Sequence, residues 1–126
     1  MPEEVYTEES YVSPSPYSQA IIHGDTVYVA GQVPVDADGN IVEGGIREQT
    51  AKVMENLETV LEEAGTSLGN AVKATAFLTD IDDFDAFNEV YAEHMPEPRA
   101  ARSTVEVADL AIDVDVEVEV IAALEE

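Results

Sequence analysis

From Arg102 to Ala122 apolar and polar residues alternate almost without fault on either side of a short break. A period of two puts successive side chains on opposite faces, so the segment reads as two half-buried strands. Val105 and Val107 share one face of the first strand with Ser103, and Val114, Val116, Val118 and Val120 line one face of the second. The other face carries Arg102, Thr104 and Glu106, and opposite them Asp115, Glu117, Glu119 and Ile121. Paired as an antiparallel hairpin with a valine face of each strand in the core, the two have a single register parity. Arg102 and Glu117 are then expected on the same side of the sheet, one guanidinium beside carboxylates.

The other segments supply what such a hairpin packs against. Val5 and Tyr6 suggest a short edge strand, and Ser13-Pro14-Ser15-Pro16-Tyr17 an extended, non-helical path. Ser18 to Ile22 and Thr26 to Ala30 flank the turn signal His23-Gly24-Asp25 and predict a hairpin. From Ile46 to Ala64 the period becomes helical, with Val53, Leu57, Val60 and Leu61 on one stripe and Gly65 as the stop. Ala71 to Thr79 predicts a strand, and Asp80 a cap for a second helix whose apolar positions include Phe84, Phe87, Val90 and Tyr91, ended by Pro96 and Pro98. The order predicts one α+β domain over residues 1–126, a mixed sheet with two helices on a single face. The uncovered face, expected to carry Thr75, Phe77, Arg102, Thr104 and Ile121, is partly apolar and calls for another subunit.

Composition narrows the function classes. With no cysteine, disulfides, thiolate metal sites and a thiol nucleophile are excluded. No apolar run approaches the roughly 20 residues that span a bilayer, and the acidic start MPEEVYTEES is unlike a signal peptide, so a cytoplasmic protein without a membrane partner is expected. Acids outnumber bases 28 to 5, a net charge of −23, and they are spread over every segment rather than gathered in a tail. An acidified surface over an ordinary core, 45% hydrophobic overall, fits a cell with molar internal salt, where the Debye length falls to about 3 Å. Structure or assembly is expected to weaken as salt is lowered. Nucleic acid is not an expected partner, because phosphate neutralisation needs a basic patch. His23 and His94 have no second ligand at metal spacing, and no metal site is predicted.

In order along the chain stand Pro16-Tyr17-Ser18-Gln19, Ala30-Gly31-Gln32-Val33-Pro34, Gly44-Gly45 with Gln49-Thr50, Glu55-Asn56-Leu57, Ala64-Gly65, Asp82 to Tyr91 with Asn88, and Ala101-Arg102-Ser103 through Glu106. Together these resemble the Rid family, the reactive-intermediate (enamine/imine) deaminases also called the YjgF family. The resemblance implies a chorismate-mutase-like α+β fold of the bacillus type and a homotrimer with three clefts at subunit interfaces. The implied activity is cofactor-free hydrolysis of 2-imino acids, in equilibrium with 2-enamino acids such as 2-aminoacrylate, to 2-oxo acids and ammonia. Arg102 matches the arginine that binds the substrate carboxylate and Glu117 the glutamate associated with the hydrolytic water. Tyr17 and Gly31 match residues lining the cleft. The chain departs from the family at Ala100, often proline, at Thr104, often cysteine, and at Ala30, often serine. Thr104 is expected to shape the pocket without abolishing activity.

The chemistry suits these residues. A guanidinium fork meets a planar carboxylate with two parallel hydrogen bonds and so fixes its orientation. Water attacks a protonated imine without a Lewis acid, and holding the two in line contributes several kcal/mol. Glu117 is the candidate to orient or deprotonate that water, with a pKa raised in a dry, acidic cleft. Each residue has a plainer alternative: Arg102 a structural ion pair, Glu117 a solvated face, Tyr17 loop packing, Gly31 a turn, Asn88 a structural hydrogen bond. A noncatalytic module that binds 2-oxo acids through the same arginine is the competing function, and RNA cleavage, attributed to relatives, is disfavoured by the charge.

Overall fold

The computed structural model describes residues 1–125. Its elements are β1 (Glu3–Val5), β2 (Ala20–His23), β3 (Thr26–Gln32), α1 (Ile46–Ala64), β4 (Ala71–Leu78), α2 (Phe84–His94), β5 (Ala101–Glu106) and β6 (Val116–Ala123). The strands form one mixed sheet in the order β1-β2-β3-β6-β4-β5. The expected α+β architecture holds, with both helices against one face. No helix among the described residues is long and apolar enough to cross a membrane.

The helical stripe behaves as its spacing requires. Val53, Leu57, Val60 and Leu61, with Met54, are fully buried. Truncating one of them to alanine costs about 2–5 kcal/mol. Glu48 accepts the Gly45 N–H at 2.8 Å at the start of α1, and Gly65 ends it in the left-handed conformation, φ 91°. Opposite α1, the sheet offers Val27, Val29, Val116, Val118, Val120, Ala74, Ala76 and Leu78. The small β4 side chains leave room for Phe87 and Met95.

Two expectations about the last segment are corrected. The strands β5 and β6 do not pair with each other: β4 lies between them, parallel to β5 and antiparallel to β6. Alternation specifies a strand and its faces but not its neighbour. The parity of β5 also differs from the expected one. Arg102 is in register with Ala74 and Thr104 with Ala76, so both lie on the helix-covered face, while Val105 is in register with Phe77 on the open face and is exposed. Glu117 is in register with Phe77 as well. Arg102 and Glu117 therefore project from opposite faces, and the open face carries Thr75, Phe77 and Ile121 without Arg102 or Thr104.

Three buried amides tie the loops to this frame. Gln19 accepts the Thr7 N–H at 2.8 Å and donates to the Thr7 and Tyr11 carbonyls, pinning the chain after β1. Asn56 on α1 donates to the Val33 and Val35 carbonyls, both at 2.9 Å. Gln49 accepts the Asp115 N–H at 2.7 Å and donates to its carboxylate at 3.2 Å, fixing the entry to β6. Each amide satisfies backbone groups that α1 and the sheet would otherwise bury unpaired.

Candidate functional site

The candidate residues fall into two clefts. The first, about 410 Å³, lies between the Tyr11–Tyr17 loop, the end of β3 and the segment before β6, and it brings Tyr17, Gly31 and Glu117 together. Its walls are the segments that Gln19, Asn56 and Gln49 hold in place. Along β3 the pairing with β6 slips by one residue between Val29 and Gln32, a bulge at Ala30-Gly31. Bulges commonly re-aim backbone beside sites of chemistry. Here the bulge sets Gly31 directly under the Glu117 carboxylate, so that a Cβ at position 31 would overlap it. Gly31 is thus a close-approach glycine rather than a turn glycine. Glu117 is part-buried, and desolvation, with a smaller contribution from Glu119, pushes its pKa above the ordinary carboxylate value. Tyr17 is half exposed at the mouth.

The second cleft, about 400 Å³, is bordered by Asn88, Tyr91, Ala92, Arg99, Ala100 and Arg102. The α2 stripe surrounds the guanidinium: Phe84, Phe87 and Tyr91 recur at helical spacing and place their rings 5.8, 5.2 and 4.6 Å from the Arg102 guanidinium carbon. Arg102 donates to Asn88 Oδ1 at 2.6 Å. Among the described residues no carboxylate comes within 4 Å of it. The structural ion pair is therefore not what Arg102 makes: a neutral acceptor and three aromatic faces orient its charge and leave it uncompensated. Thr104 shares this face two residues along β5 and is not among the residues lining either cleft.

Asn88, expected to make a structural hydrogen bond, and Tyr91, expected only as an apolar helix position, both border this cleft. The available signal was a polar residue within an aromatic stripe, Phe84, Phe87, Asn88, Tyr91, since a solitary amide beside rings is a natural seat for a guanidinium. Tyr11 and Ile112, which close the first cleft, come from irregular segments with no periodicity to place them.

A single chain thus holds a guanidinium-bearing cleft and a carboxylate-bearing cleft, separated by the sheet. The first offers a planar donor fork, the second a carboxylate of raised pKa beside a phenol and exposed backbone.

Comparison with known proteins agrees with this architecture. Residues 7–124 match the sequence model of the family described as Endoribonuclease L-PSP. A RutC family protein of Pyrococcus abyssi is 49% identical over 121 residues, which cover 95% of this chain and 95% of that protein. RidA from the Antarctic bacterium Psychrobacter sp. superposes with a TM-score of 0.93 at 36% identity, covering 97% of this chain and 99% of the other. TdcF of E. coli, solved with bound serine, superposes with a TM-score of 0.90 at 34% identity, covering 98% and 99%.

Proposed function

The chain belongs to the Endoribonuclease L-PSP family, the Rid family of its structural neighbours, and on that premise we propose that it is a hydrolytic deaminase of 2-imino acids. Its substrates on this reading are 2-imino acids and their 2-enamino tautomers, such as 2-aminoacrylate and 2-iminobutanoate, and its products 2-oxo acids and ammonia. The observation that carries the proposal is the uncompensated guanidinium of Arg102, held by Asn88 at the edge of an open cleft. A small planar carboxylate satisfies it with two charge-assisted hydrogen bonds. Serine in the TdcF structure is a small 2-amino acid of matching shape, with nitrogen and carboxylate on one carbon.

Opposite faces for Arg102 and Glu117 favour an assembly in which each reaction cleft forms between protomers, a homotrimer, with Arg102 from one copy facing Tyr17, Gly31 and Glu117 of the next. The protonated imine, fixed by its carboxylate, presents its carbon to a water held by Glu117. Glu117 takes a proton from the water as the C–O bond forms and passes it to the nitrogen; as the C–N bond breaks and ammonia leaves, the same side chain accepts the proton of the carbinolamine hydroxyl and the 2-oxo acid forms. A raised pKa suits a group that must both accept and return a proton near neutrality.

A noncatalytic binder of small carboxylates is the second reading, favoured by Arg102 and the Asn88 that orients it lying together within one chain. Cleavage of RNA, which the family description suggests, is disfavoured by a net charge of −23. The test is to generate 2-aminoacrylate or 2-iminobutanoate in situ at high KCl and follow semicarbazone trapping. Reduced trapping in the presence of the protein is expected; unchanged trapping at every salt concentration removes the enzymatic assignment.

A further inference from the structure

Arg99, three residues before Arg102 and outside β5, borders the same cleft as Arg102. Of the chain's five cationic side chains, Arg47 is paired with Glu89 at 2.8 Å and Lys52 with Glu55 at 3.8 Å, and Lys73 donates to Ser103 on the open face. The remaining two meet at this cleft, whose lining contains no acid. Arg99 has Glu97 at 4.0 Å, a long contact with 48% and 80% of the two side chains exposed, which water screens. Its guanidinium makes only long hydrogen bonds, Nε to the Met95 carbonyl at 3.4 Å and Nη2 to the Ala92 carbonyl at 3.5 Å, beside the C-terminus of α2. Ala92 and Ala100, both small, leave the space between the two arginines unfilled.

Tyr91 supplies an independent observation. It is only 4% exposed, lines this cleft, and its hydroxyl has no hydrogen-bond partner. Burial raises its pKa, and Arg102, by its charge and by its closeness as a hydrogen-bond donor, pulls it back, with a smaller pull from the charge of Arg99. With no donor or acceptor at full hydrogen-bond geometry except what Arg102 offers nearby, the hydroxyl keeps capacity that a ligand in the cleft can use.

Resting on the deaminase reading for Arg102, we propose that Arg99 is a specificity-determining residue that seats a second carboxylate, so that the site prefers 2-imino dicarboxylic acids to those with uncharged side chains. Arg102 clasps the carboxylate beside the imine carbon and Arg99 meets the distal one. Three extended residues set the two Cα atoms at most about 10 Å apart, within the joint reach of two arginine side chains. A chain of −23 repels a dianion unless local cations reverse the sign, and two guanidinia without a lining acid do so. A mono-acid leaves Arg99 with only its long contacts to Glu97 and to the Met95 and Ala92 carbonyls. The plainer role, a cation closing the C-terminus of α2, affects every substrate alike.

The experiment measures calorimetric binding of 2-oxoglutarate and 2-oxobutanoate at molar KCl, together with kcat/KM for the imines of glutamate and 2-aminobutanoate. Wild type is expected to favour the dicarboxylate about tenfold or more in both measurements. Arg99→Ala is expected to remove most of that ratio and Arg99→Lys to retain part of it. A wild-type ratio near one, or a ratio that Arg99→Ala leaves unchanged, overturns the inference while the deaminase stands. A binding preference that Arg99→Ala abolishes, with neither imine hydrolysed faster, supports the second carboxylate seat and sinks the deaminase.

Discussion

Arg102 and Glu117 register on the same strand, at Ala74 and Phe77 of β4, and leave the sheet by opposite faces. No rotamer brings them together around one substrate within one chain. Complementation follows from this geometry. Arg102→Ala and Glu117→Ala are each expected to lack activity alone, yet mixing them after subunit exchange restores about a quarter of wild-type turnover, the chance that an intact Arg102 neighbours an intact Glu117 in a randomly mixed ring. Trapping assays on refolded mixtures check it, and no recovery counts against a site shared between protomers.

Arg102→Lys keeps the charge and loses the fork. The ammonium cannot make two parallel hydrogen bonds, nor present a planar cation over the Tyr91 ring, which the guanidinium carbon approaches to 4.6 Å. One charge-assisted hydrogen bond is worth about 1.5–3 kcal/mol, so kcat/KM is expected to fall roughly 10- to 150-fold with the circular dichroism spectrum unchanged. A lysine variant with full activity shows that charge alone suffices.

Gly31→Ala tests the close approach at the bulge. The added Cβ overlaps the Glu117 carboxylate, and strand backbone gives way less readily than a side chain, so Glu117 must turn out of its position. Overpacking of this kind costs about 1–3 kcal/mol. The expected result is a lower Tm and lost activity, with Gly31→Ala combined with Glu117→Ala recovering the Tm but not the activity. Equal Tm losses in single and double variants place the strain elsewhere.

What the sequence disclosed depended on whether a pattern was local. Val53, Leu57, Val60 and Leu61 repeat every three or four residues and Gly65 stops them, so α1 was legible to its ends. The insertion of β4 between β5 and β6 was not, because pairing partners are chosen by tertiary packing, where Ala74 and Ala76 make room for Phe87 and Met95. Val105 misled the parity of β5: valine suits the core, but the aromatic bed of α2 recruited Arg102 to the inner face and turned Val105 outward. Family resemblance picked out Tyr17, Gly31 and Glu117, which do share one cleft, whereas the Arg102 half contained Asn88 and Tyr91, read as structural.

Glu117→Gln separates pH effects on stability from those on turnover. With the folded-state pKa raised, there is a window above the ordinary carboxylate value in which the folded chain keeps a proton that the unfolded chain has lost. Stability contributed by Glu117 therefore falls as pH rises through that window and is fully regained in acid. The glutamine variant, which carries no charge to desolvate, is expected to match wild type in acid and exceed its Tm at neutral pH. Its residual kcat/KM is expected to lose the rising limb that deprotonation of Glu117 gives to wild type. Parallel pH profiles for the two proteins remove Glu117 from the chemistry.

Salt is expected to stabilise this acidic chain. Beyond the overall −23, acids crowd locally: Asp83 is pushed above its ordinary pKa first by desolvation and then by Asp80, Asp115 and Asp82. Concentrated salt screens the three repulsions and leaves the desolvation, since the Debye length shrinks from about 10 Å at 0.1 M to about 3 Å at 1 M. The Tm is expected to rise steadily with KCl from millimolar to molar concentration. Asp82→Asn, which removes one repelling charge at an exposed position, is expected to raise the Tm at low salt more than at high salt. If KCl shifts neither protein, the acidic surface is not an adaptation to salt, and core packing alone sets the stability.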